Sequence, residues 1–290
     1  MEKLRIGLLL ERYEIPKAEY EALEEVLSKP RVTLTTVGIS HAARERQDGD
    51  QRGTVGRLLH DLSRNRPNVL VGVDFHIAKH LGEEAAISLD ETWWNKRDVR
   101  ILLQNHRPTI IEYELHPVQD GPRYEIPDAV VQEFEETVDV IINFEHSILA
   151  GDILTATRYG VLSHHGADIR RYRGRPAAYW QYLNDEPVIG TTIQQLTPRL
   201  DAGNPVLIRH SNIDDTDTLW DVKRKPKERL PRMYSDVIER ILQGNFEPEP
   251  LDVVGTLTHS SDKQRWGVVL RVLAKNWGRR VRRSLRSLGN

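Results

Sequence analysis

Apolar residues along this chain come in short, nearly unbroken runs, separated by segments in which they recur at helical spacing. Leu4–Leu10 (LRIGLLL) is one such run, and its lack of alternation predicts a strand buried on both faces. Pro16 suits a helix start, and Ala18, Leu23, Val26 and Leu27 carry the helical spacing onward. A β-branched run over residues 32–39 follows Pro30, so the chain opens as strand, helix, strand, the beginning of a parallel α/β sheet.

Residues 41–53 (HAARERQDGDQRG) show no apolar period and are predicted to form an exposed loop, after which Thr54 caps a predicted helix reaching Ser63. The apolar run 68–73 (NVLVGV) predicts a further central strand. Asp74 and His76 follow it directly. Strand ends of open α/β sheets face the ligand crevice, which makes these two candidate substrate-binding residues by location; the alternative is a solvated loop. Trp93 and Trp94 suggest ring stacking or a core or rim anchor. Residues 109–118 alternate loosely, as an antiparallel or edge strand does. Pro127 and Asp128 start a helix, residues 138–144 (VDVIINF) form the most clearly buried strand, His146 and Ser147 lead into a predicted helix, and residues 159–164 return as a strand. These last elements make a second strand–helix–strand unit.

Composition narrows the chemistry. No cysteine is present, which removes disulfides, thiolate nucleophiles and Cys-ligated metal sites. The apolar run near the N-terminus breaks at Glu11 and Arg12, too short for a signal peptide or a membrane span, so a cytoplasmic protein is expected. A net charge of −2 conceals an asymmetry: residues 263–290 hold nine Lys or Arg and no acid, whereas residues 1–262 hold 32 basic and 43 acidic side chains.

The chemistry gathers in one stretch, residues 159–207. It contains a histidine at a strand end, a loop rich in arginine and glycine, and a downstream acid: His165-Gly166-Ala167-Asp168-Ile169-Arg170-Arg171-Tyr172-Arg173-Gly174-Arg175, then Leu200-Asp201-Ala202-Gly203. In order and spacing this resembles the signature of the folate-dependent formyltransferases, in which Asn-x-His ends a buried strand, a Leu-Pro-Arg-aromatic-Arg-Gly loop follows, and Leu-Asp-x-Gly comes later. The resemblance extends over residues 139–219 and covers Thr191-Thr192-Ile193 and VDVIINFEHSILAGDIL as well.

That resemblance implies a Rossmann-like, doubly wound, mostly parallel sheet with helices on both faces, and 10-formyltetrahydrofolate as formyl donor. It assigns His165 as base or oxyanion donor, Asp201 as the group that orients it, and Ser163 as a third catalytic position. Arg170, Arg171, Tyr172, Arg173, Gly174 and Phe144 are then expected to hold the cofactor, with Arg175 joining Asp74 and His76 toward the substrate; no metal is implied. Guanidinium groups suit the carboxylates or phosphates such ligands carry. The chain departs from the family at Ser163, where the family has Asn, at Arg170, where it has Pro, and at Asn204, where an acid is common. The segment after the first strand, LLLERYEIPK, is not a Gly-rich phosphate loop, and Tyr172-Arg173-Gly174-Arg175 followed by Pro-Ala is closest to the sugar-nucleotide N-formyltransferases. The expected acceptor is the amino group of a small metabolite, an amino sugar or sugar nucleotide. Hydrolysis of the formyl donor and a weakly catalytic binding relative are the alternatives, the second because of Ser163.

Beyond the resemblance lies a C-terminal helical extension, so the expected division is a catalytic domain over 1–219 and an extension over 220–290. Within the latter, Trp266, Leu270, Leu273, Trp277, Val281, Leu285 and Leu288 recur every three or four residues among basic ones, predicting a basic amphipathic helix over 264–288. An anionic membrane surface, the acidic body of the chain and a partner subunit, as in a homodimer, are the candidate contacts. Nucleic acid is disfavoured by the acidity of the rest.

Overall fold

In a computed structural model, residues 3–41, 66–118, 122–175, 178–199, 202–252, 255–259 and 261–288 are described, apart from the side chains of 93 and 94. The predicted loop beyond His41 and the helix predicted to begin at Thr54 lie outside the described residues.

Seven strands form the central sheet: β1 (Leu4–Leu10), β2 (Val32–His41), β3 (Thr109–Glu114), β4 (Val140–Asn143), β5 (Val161–His165), β6 (Val188–Gln195) and β7 (Asn204–Asn212), in the order β7-β6-β5-β4-β1-β2-β3. The five from β5 to β3 are parallel, and β6 and β7 extend the sheet antiparallel. Helices cover both faces. On one face, α1 (Lys17–Leu27) packs Ala22, Leu23 and Val26 onto Ile6, Leu8 and Leu10. On the other, Phe134 meets Leu9 and Ile141. Alternate residues of one strand therefore serve two cores, which explains why β1 and β4 read as unbroken apolar runs.

Two expectations are corrected and one is resolved between its alternatives. Residues 68–73 are not a strand: helix α2 (Val69–His80) occupies them, since a short apolar run flanked by Asn and Pro suits a buried helix as well as a strand. Of the two readings of residues 109–118, antiparallel or edge, the edge strand is the one found: β3 closes the sheet and pairs in parallel with β2. The segment after His146 is not an α-helix but a short strand, Ile148–Ala150, followed by a 3₁₀ turn, Asp152–Leu154; Gly151, at φ +76°, turns the chain between them.

After α3 (Glu84–Leu89), α4 (Arg100–His106), α5 (Asp128–Thr137) and α6 (Tyr179–Leu183), the chain ends in two long helices, α7 (Leu219–Gln243) and α8 (Trp266–Leu288). The expected boundary at 219/220 falls at the first turn of α7, whose Thr218/Asp221 capping box secures its N-terminus. Leu230, Met233, Tyr234, Val237 and Ile238 of α7 are buried in the same core as β1 and α1.

Candidate active site

Because β1, β4 and β5 run parallel, their carboxyl ends share one edge of the sheet, and polar groups are buried there: Asn143, Glu145 and His165. The Asn143 Oδ1 accepts the Glu145 amide (3.0 Å) and its Nδ2 donates to the Glu145 carbonyl (3.3 Å), an Asx turn that ends β4. Glu145 in turn accepts from the Ser40 hydroxyl at the end of β2 and from the Ser147 amide (3.0 Å).

His165 is the last residue of β5 and is 8% exposed. Ser163, two residues earlier on the same side of the strand, is half-buried and lies in register with Asn143 on β4 and Gln194 on β6. Asn143, Ser163 and His165 thus share one face of the sheet. Thr192, paired with His165, donates to the Ala167 carbonyl (2.7 Å) and pins the turn that leaves the strand. His164 faces the opposite side, where burial first and the Lys227 charge second push its pKa well below the ordinary imidazole value.

Asp168 organises the loop that follows. It accepts the Arg170 amide (3.1 Å), Nε (2.9 Å) and Nη2 (2.7 Å), and it bonds His210 Nε2 (3.0 Å). Burial raises its pKa, but these bonds to Arg170 and His210 outweigh burial and hold it below 3.8. Arg171 forks onto Glu186 (2.7 and 2.9 Å), to which the Tyr172 hydroxyl also donates (2.7 Å), and Arg173 Nε donates to the Gly255 carbonyl (2.7 Å). Two of the expected cofactor arginines, Arg170 and Arg171, therefore meet carboxylates of the chain itself.

Tyr172–Gly174 forms a parallel two-stranded ladder with Thr256–Thr258. Gly174 sits at φ +79°, and a Cβ there would collide with the Thr258 carbonyl oxygen, so no other residue fits. An open cavity of about 390 Å³ adjoins the ladder, lined by Arg171, Tyr172, Trp180, Asn184, Thr256 and Thr258. Arg175 is exposed beyond it. Burial first, and the Lys223 and Arg175 charges after it, depress the Lys227 ammonium, and burial followed by the Arg175 charge lowers that of Lys263.

Asp201 lies outside the described residues. Gly203, two positions on, donates its amide to Gln194 Oε1 (3.0 Å), and Gln194 is the register partner of Ser163. Phe144 does not line an open site: it is buried against Tyr234 with ring centroids 5.5 Å apart. Nor do Asp74 and His76 stand at a strand end. Both are on α2; His76 is exposed, and Asp74 is buried beneath α8, where it takes bonds from Trp220, Asn276 and Arg280. Asn143 is the residue that sequence reasoning passed over, because only strand register brings it beside Ser163.

A family model described as formyl transferase matches residues 94–238. Among solved structures, an N-formyltransferase from Helicobacter canadensis, in complex with folinic acid and dTDP-3-aminofucose, superposes with a TM-score of 0.53 at 12% identity over 95% of this chain and 81% of its own. A sugar N-formyltransferase from a Shewanella species gives 0.52 at 11% identity, over 93% and 88% of the two chains. The phosphoribosylglycinamide formyltransferase of Anaplasma phagocytophilum gives 0.51 at 14% identity, over 89% of this chain and 100% of that one. At such identities the likeness is one of fold.

Proposed function

Since the chain belongs to the formyl transferase family, whose model spans half of it, we propose that it transfers a formyl group from 10-formyltetrahydrofolate to the amino group of an amino sugar or a nucleotide-linked amino sugar. The observation that carries this reading is the buried His165 closing the parallel strand β5, on one face with Ser163 and Asn143. The named complex of the Helicobacter canadensis enzyme, a folate with a nucleotide-linked amino sugar, supports the choice of donor and acceptor.

The donor set suits such a ligand pair: a neutralisable imidazole and an amide are buried at the strand ends, and Arg175, exposed beyond the loop, offers a guanidinium suited to carboxylate or phosphate. When bound, the folate supplies an activated formyl carbon. The acceptor amine loses a proton to His165 as its nitrogen bonds to the formyl carbon, and that proton is returned to the folate nitrogen as the bond from the formyl carbon to it breaks. Negative charge grows on the formyl oxygen in the same step. Ser163 donates a hydroxyl to it, and Asn143, one strand over, offers the carboxamide that the family motif carries at position 163. Asp201 follows the family pattern in orienting the imidazole. Arg170 and Arg171 act by shaping the loop through Asp168 and Glu186, while Tyr172, Arg173 and Gly174 hold it to residues 256–258.

The test is turnover of 10-formyltetrahydrofolate with a panel of free and nucleotide-linked amino sugars and with water alone. The proposal expects amine-dependent turnover that falls on His165→Ala and on Asp201→Ala. Turnover with water alone would instead make the chain a hydrolase, and no turnover with any acceptor would make it a binding relative.

A further inference from the structure

Helix α8 lies on the body through Val269 and Val272 of its first half and through polar and charged side chains beyond them. Its buried positions are Val269, Val272, Asn276, Arg279 and Arg280. Its cations reach carboxylates of the body: Arg280 to Asp74 and Glu83, Lys275 and Arg279 to Asp185, Arg283 to Asp221, and Arg282 and Arg286 to Asp215. A surface helix ordinarily turns its apolar stripe inward. This one turns it outward.

Trp266, Leu270, Trp277, Val281, Leu285 and Leu288 are all exposed, Leu270 by 56% and Leu285 by 64%. At 3.6 residues per turn these six fall within about 100° of arc, and the face they make is about 35 Å long. Gly267, Ala274 and Ser284 fill the spaces between them, and no charged residue enters the arc. Leu81 and Ile77, at the end of α2, are exposed as well, and Glu83 just beyond them is the partner of Arg280. A monomer in water rarely leaves such a patch open.

Charge selects the occupant. Arg271 ends on the Leu183 carbonyl rather than on a carboxylate, Arg282 and Arg286 share Asp215, and Lys275 and Arg279 share Asp185. The rim of the apolar face therefore keeps positive charge. A second copy presenting the same face would oppose rim to rim, whereas anionic headgroups meet the cations while the boundary of the acyl region takes Trp266, Leu270 and Trp277. No helix among the described residues is long and apolar enough to cross a membrane. We infer that α8 is an interfacial helix, docked through its arginines and open through its apolar face, that seats the protein on an anionic phospholipid surface.

Sedimentation of the full chain with phosphatidylcholine vesicles, with and without phosphatidylglycerol, tests this. Wild type is expected to pellet with the phosphatidylglycerol vesicles, less with phosphatidylcholine alone and less at high salt. Leu270→Glu and Leu285→Glu, each at an exposed site, are expected to lower partitioning about tenfold or more with an unchanged melting temperature. Wild type remaining in the supernatant, or variants that pellet like wild type, overturns the inference. So does lipid-free self-association that the same variants abolish, which would assign the face to a second copy.

Discussion

Asp74 is the sharpest place to separate a binding role from a structural one. Its carboxylate is 2% exposed and takes four bonds: from Trp220 Nε1 (2.9 Å), Asn276 Nδ2 (2.7 Å) and both terminal nitrogens of Arg280 (2.5 and 3.2 Å). Truncation to Ala leaves the buried Arg280 with Glu83 alone and strands the indole and carboxamide donors. Breaking a buried pair by removing one partner costs about 3–5 kcal/mol, and each stranded donor adds about 1–3 kcal/mol if the helix stays docked. The helix has an alternative, which is to detach. Detachment gives up the burial of Val269 and Val272, about 1.5–3 kcal/mol each, and so limits the total. We expect Asp74→Ala to lose about 3–5 kcal/mol in urea unfolding, with hydrogen exchange rising over residues 266–288 before the central sheet. Adding Arg280→Met should recover part of the loss, since the unpaired charge is then gone. A loss under about 1 kcal/mol with unchanged protection of α8 would refute this account and return Asp74 to the list of ligand contacts.

Other expectations follow from the site. Ser163→Asn, which restores the family residue, should raise formyl transfer, and Asn143→Ala should lower it about tenfold or more by removing an oxyanion donor; steady-state kinetics with the best acceptor checks both. Gly174→Ala should destabilise the ladder to residues 256–258 by about 1–3 kcal/mol for the left-handed backbone alone, seen as a lower melting temperature and raised KM for the donor. Asp168 has a folded pKa below its unfolded value of 3.8, so the stability it contributes is complete above about that pH and is lost as pH falls through the lower folded value. Asp168→Asn should therefore flatten the acid limb of a stability–pH curve below about pH 4 and leave its neutral side with a constant offset.

Much of the sheet was legible because burial on both faces forces continuous apolar runs, as at β1, β2 and β4. The strand–helix–strand opening was equally legible, because Pro16 and the spacing through Leu27 mark α1. Residues 68–73 defeated the same reasoning: six positions are too few to show a period, and the decision was made by Asp74, whose partner Arg280 lies more than two hundred positions away in sequence. The crossover after β4 misled because its apolar spacing suits a helix, while Gly151 turns the backbone where the helix would run. At the site, His165, Ser163 and the Arg-Gly loop were visible through their spacing. Asn143 was invisible, since strand register rather than sequence separation brings it alongside Ser163. The outward face of α8 was visible as a stripe, but which side of the helix would dock depended on acids scattered from Asp74 to Asp221.

The ladder between Tyr172–Gly174 and Thr256–Thr258 also sets an order of assembly during synthesis. A nascent chain can close its parallel strands once β5 has emerged, but the loop after His165 waits for residues more than eighty positions downstream. The loop is therefore closed only after residues 256–258 have been made, so it joins the fold later than the strand that precedes it.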